Sequence, residues 1–106
     1  MKVKDWGPSI HAIATIYFLR TDEGGRSTPT FSGYRGQFHY NNHDWDAAYW
    51  FASDPVYPGE EIEAMITLLS PDLHRRRLHV GMPFEIREGR DVVARATITW
   101  LDDDLA

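Results

Sequence analysis

Three clusters in the 106-residue sequence carry side chains able to grip a ligand or do chemistry. The first is Asp22 to Phe38, DEGGRSTPTFSGYRGQF, where Arg26, Arg35, Tyr34 and Gln37 stand among glycines and Pro29. Guanidinium forks there suit phosphate or carboxylate oxygens. The second is His74, Arg75, Arg76, Arg77 and His79. Three consecutive arginines on a turn can follow phosphates or meet an acidic protein surface, or they can be a solvated loop that offsets the acidic middle of the chain. The third is His39, His43, Asp44 and Asp46, which are metal-ligand types. Their spacing matches no tight ligand motif and Asp is common in turns for backbone reasons, so no metal is expected.

Other chemistries find little support. No cysteine is present, which removes disulfides, thiol nucleophiles and cysteine-bound zinc. No phosphate-binding loop, nucleophile elbow or acid and base spacing occurs, so the expectation is a chain without GTP binding, cofactor or enzymatic activity. A net charge of −5 argues against indiscriminate nucleic-acid binding. The distribution is uneven: Asp44, Asp46, Asp54, Glu60, Glu61 and Glu63 make the middle acidic, while His74 to Arg95 holds six arginines against Glu85, Glu88 and Asp91. The start, MKVKDWGPS, lacks an apolar signal region and no apolar run approaches a membrane span, so a soluble, cytoplasmic protein is expected.

Short apolar runs rich in Val, Ile, Tyr, Phe and Trp, separated by turn residues, must position these clusters. They predict one all-β domain over residues 1–106, with strands in Ile10 to Leu19, Gln37 to Asn41, Ala47 to Ser53, Glu61 to Leu69, Phe84 to Glu88 and Val92 to Trp100. Alternation puts Ala12, Ala14, Ile16 and Phe18 on one face of the first strand. Likewise it puts Ile62, Ala64, Ile66 and Leu68 inward in the fourth, and Val92, Ala94, Ala96, Ile98 and Trp100 on one side of the last. Asn41 and Asn42 predict a turn, Gly24 and Gly25 permit a sharp reversal, and Pro29 stiffens the loop. Gly33, Tyr34 and Arg35 complete its shape. Asp102, Asp103 and Asp104 read as a solvated end. Tyr49, Trp50 and Phe51 cannot all point inward. One of them is covered by Trp6 or the long loop, or it forms part of a partner or homodimer contact.

The Asp22 to Phe38 stretch, together with Phe84 to Gly89, resembles the C-terminal β-barrel domain of bacterial translation elongation factor Tu. The likeness runs from about Ile10 to Trp100. It implies a six-stranded antiparallel Greek-key β-barrel over about residues 10–100, free-standing and without the GTPase domain. In that family the matching surface contacts the T arm of aminoacyl-tRNA through the RNA backbone. The resemblance therefore implies RNA contacts at Arg26, Gln37, Glu88 and Gly89, to which the Arg75, Arg76, Arg77 turn is added. Ser27 stands where the family usually has histidine, Gly36 where it has proline, and Arg90 with Asp91 where it has glycine and arginine. The rival expectation is a protein-interaction module that engages an exchange factor, a GTPase domain or a toxin through the acidic middle and an exposed aromatic.

Overall fold

A computed structural model describes residues 9–106. The lysine-bearing start and Trp6 lie outside the described residues. Seven strands form: β1 (Ala12–Phe18), β2 (Gln37–Tyr40), β3 (His43–Trp45), β4 (Ala47–Phe51), β5 (Glu61–Leu68), β6 (Pro83–Glu88) and β7 (Asp91–Leu101). All pair antiparallel in one sheet ordered β3-β2-β6-β7-β1-β5-β4. No α-helix occurs among the described residues.

The all-β expectation holds, with seven strands rather than six. The extra strand arises because residues 43–51 bend at Asp46. The first half, β3, pairs with β2, and the second half, β4, pairs with β5. The two ends of the strand order are thus consecutive pieces of chain, which is how the sheet curls upon itself. The long connections β1 to β2 and β5 to β6 both pass over intervening strands, in the manner of a Greek key.

Burial follows alternation wherever the ladders are regular. Ala12, Ala14, Ile16 and Phe18 are buried, as are Ala64, Ile66 and Leu68, with Ile62 half-buried. On β7 the expected face holds at Ala94, Ala96 and Ile98 but fails at both ends, where Val93 and Leu101 are buried in place of Val92 and Trp100. Two bulges explain this. Val93 is the extra residue opposite Ile86 and Arg87, and Thr99 is the extra residue opposite Ile13 and Ala14. Each extra residue moves the following side chains to the other face.

Two further expectations are corrected. Of the three aromatics proposed for partner contact, Tyr49 and Phe51 belong to the core, and only Trp50 faces outward, donating its indole N–H to Thr67 Oγ1 at 3.1 Å. The acidic tail is also not simply a solvated end. Asp102 caps a short 3-10 turn, Asp103–Leu105, by accepting from the Asp104 N–H at 3.1 Å, and Leu105 is buried.

Candidate nucleic-acid interface

The loop after β1 is shaped by two glycines with different jobs. Gly24 closes a 3-10 turn, Thr21–Glu23, at φ 95, a left-handed conformation that costs glycine nothing. Gly25 passes so near the preceding strand that a Cβ there would stand 2.1 Å from the Leu19 carbonyl oxygen. The next residue is pinned at once, since Thr21 Oγ1 donates to the Arg26 carbonyl at 2.7 Å.

Arg26 is thereby aimed at the second bend. Its guanidinium donates to Thr28 Oγ1 at 3.1 Å, lies 5.1 Å from the centre of the Tyr34 ring, and forms an ion pair with Glu88. The Tyr34 hydroxyl donates to the same Glu88 oxygen. Burial, then donation to this carboxylate, pushes the Tyr34 hydroxyl well above its ordinary pKa. Glu88 ends β6, and Gly89, at φ 60, opens the two-residue turn into β7.

Gly36 lets the loop close over β6. A Cβ on it would meet Ile86 Cγ2 at 2.5 Å and the Tyr34 hydroxyl oxygen at 2.6 Å. Gln37 then enters β2 opposite Arg87, with its amide donating to Asp46 Oδ1 at 3.3 Å. Arg35 is exposed and has no polar partner among the described residues.

The contact set Arg26, Gln37, Glu88 and Gly89 meets Tyr34 and Arg35 of the loop-shaping set around one place, which Gly24, Gly25, Pro29 and Gly33 do not line. It is a shallow groove of about 350 Å³ whose walls carry Arg26, Arg35 and Arg87 against Glu88. Arg87 was missed in the sequence. It lies 3.8 Å from Asp44 Oδ1 and 3.3 Å from His39 Nδ1, and its buried Nε has no hydrogen-bond partner. Its signal was present, because alternation around the buried Phe84 and Ile86 turns Arg87 outward beside Gln37.

The Arg75 to Arg77 turn does not join this groove. The groove sits where β7 begins, whereas the Arg76 N–H donates to the Leu105 carbonyl beyond the end of that strand. Eleven residues of β7 separate the two places, a span of roughly 30 Å at the usual strand rise. Arg75 is paired with Asp72, and the acidic tail packs alongside. His74, read as part of the basic turn, is buried and takes a hydrogen bond with Tyr40 at 2.6 Å. Burial, reinforced by Arg77, pushes its pKa down to about 4.

The metal-type cluster is likewise dispersed into ordinary hairpin contacts. His39 Nδ1 lies 2.8 Å from Asp44 Oδ1 across β2 and β3, and His43 Nδ1 lies 2.9 Å from the Asn41 carbonyl. No group of three potential ligands converges among the described residues. A larger open hollow of about 710 Å³ near the Asn41–Asn42 turn carries a single arginine, Arg95, opposite Glu85, and lacks the converging cations of the smaller groove.

No helix among the described residues is long and apolar enough to cross a membrane. The family model of the elongation factor Tu C-terminal domain matches residues 8–101. The chain belongs to that family, and is a translation-factor-related domain.

Proposed function

We propose that this member of the elongation factor Tu C-terminal domain family is a non-catalytic, cytoplasmic binding module for structured RNA, tRNA above all. The RNA backbone would lie in the groove between the Arg26 and Gly89 bends. The single observation that carries this reading is the convergence of Arg26, Gln37, Glu88 and Gly89 from two distant stretches of chain on one arginine-lined surface. Arginine forks and the exposed peptide of a glycine turn recognise phosphates and shape, with no need for base readout. Arg35 supplies further positive charge, Arg87 does so beside Asp44 at 3.8 Å, and the ion pair with Glu88 sets the aim of Arg26.

Titration of labelled bulk tRNA at low salt tests this. Binding that weakens steeply with salt is expected, because phosphate contacts release counterions. Folded protein that retains no tRNA at low salt overturns the proposal.

A further inference from the structure

A second surface lies on the outer side of the loop and carries a different chemistry. Thr30 and Val56 form an isolated bridge and exchange both backbone hydrogen bonds, each 2.8 Å. In such a pair the two side chains share one face, and here both are buried. The flanking residues Pro29, Phe31, Pro55 and Tyr57 must therefore share the opposite face. Phe31 and Tyr57 are 56% and 53% exposed, among the most exposed large apolar side chains of the described residues.

The backbone beneath them is fixed on both sides. Ser32 donates its N–H and its hydroxyl to Asp54 Oδ1, at 2.9 and 3.1 Å, and its hydroxyl accepts the Phe51 N–H at 2.9 Å. On the other side the Tyr57 N–H donates to Glu60 Oε1 at 2.7 Å, while the Glu60 N–H returns a bond to the Tyr57 carbonyl at 3.1 Å. Two aromatics are thus held out to solvent on ordered chain, which lowers the entropic cost of binding through them.

The charge around them is negative. Asp54 and Glu60 border the aromatics, each exposed and each using one carboxylate oxygen in the bonds just described. Two cations touch the segment and both are engaged: Arg20, whose stem lies against Gly59, pairs with Asp22 at 2.9 Å, and Arg26, which reaches the Pro29 carbonyl at 3.5 Å, pairs with Glu88. An acidic rim repels a phosphate backbone and attracts a cation.

We propose that Phe31 and Tyr57, with Pro29 and Pro55, form a docking face for a protein segment that carries arginine or lysine next to an apolar side chain. The apolar side chain packs on the two aromatics, and the basic group reaches Asp54 and Glu60. This surface adjoins the arginine groove, since Arg26 donates to the Pro29 carbonyl at 3.5 Å, but neither Phe31 nor Tyr57 lines that groove, and the docking does not depend on RNA binding.

The test uses a short labelled peptide repeating arginine, leucine and proline, against the same peptide with glutamate for arginine. It is read by fluorescence anisotropy and by amide chemical shifts of the full chain. Expected are shifts at Phe31, Ser32, Tyr57 and Glu60 with the arginine peptide and none with the glutamate peptide. Affinity is expected to fall at least fivefold in Phe31→Ala and in the double variant Asp54→Asn, Glu60→Gln. It is expected to stay unchanged in Arg35→Ala, which alters the arginine groove alone. All three variants alter exposed side chains, and a native amide spectrum confirms that each remains folded. Equal response to both peptides, shifts confined to other surfaces, or tRNA-induced shifts at Phe31 and Tyr57 in the absence of peptide, which would make RNA the occupant, overturns the proposal. Loss of tRNA binding with peptide binding intact removes the RNA reading alone.

Discussion

Arg26 and Glu88 form an ion pair although 62 residues separate them in the chain, and Tyr34 donates to the same carboxylate oxygen. This three-way contact ties the long loop to the β6–β7 turn, and with it the two halves of the arginine groove. Both charged partners are partly exposed, so the contact contributes more to placing the groove than to overall stability.

Removing the pair separates those two effects. Glu88→Gln is expected to cost no more than about 1 kcal/mol in urea unfolding, as for other partly exposed ion pairs. Tyr34→Phe, which removes the hydroxyl and leaves the ring under Arg26, is expected to cost about 1 kcal/mol. Losses of several kcal/mol in either variant would show that the contact is a structural keystone, contrary to its exposure.

Arg26→Ala is expected to weaken tRNA binding about tenfold and to reduce the salt slope by about one unit. The triple alanine variant of Arg75, Arg76 and Arg77 is expected to bind like wild type, since those residues lie beyond the far end of β7 beside acidic side chains. A larger loss in the triple variant than in Arg26→Ala would move the RNA site to the opposite end of the domain.

Gly25→Ala should be among the most damaging single substitutions in the loop. The added Cβ would press on the backbone of Leu19 and Arg20, at 2.1 and 2.8 Å from their carbonyl oxygens, and neither can move without disturbing β1. A loss of about 3 kcal/mol is expected from such overpacking. Gly24→Ala meets no atom within 4 Å and carries only the strain of φ 95, so about 1 kcal/mol is expected there. Thermal unfolding of the two variants side by side checks the order.

His74 makes the fold acid-sensitive. Its pKa is pushed down to about 4, chiefly by burial, so the unfolded chain binds this proton more readily than the folded one. The stabilisation is fully present above the ordinary imidazole value near 6.5 and is lost as pH falls toward 4. An upper bound of about 3 kcal/mol follows from a shift of that size. Burial also lowers the His11 pKa, which acts in the same direction. Urea midpoints should therefore fall between pH 7 and pH 4.5, and His74→Leu should flatten that fall while lowering stability at pH 7. An unchanged slope in the variant would assign the acid sensitivity elsewhere.

Much of this protein follows from local rules. Strand positions, the Asn41–Asn42 turn and the inward faces of β1 and β5 were legible because alternation and turn chemistry act over a few residues. Family likeness marked Arg26, Gln37, Glu88 and Gly89 for the same reason that a motif can be read at all: each stretch keeps its own residue types. What the linear pattern could not supply was anything set by strand pairing at a distance. The bulges at Val93 and Thr99 depend on neighbouring strands, and they decided that Val92 and Trp100 leave the inner face. The burial of His74 required Tyr40, Phe38 and Trp45 to close around it. Arg87 became part of the groove, and Arg75 to Arg77 were excluded from it, only when the curled sheet fixed which strand ends meet. Side-chain type and spacing along the chain determine which groups can bind. Register and curvature, which arise from contacts between residues far apart in sequence, decide which of those groups face the same ligand.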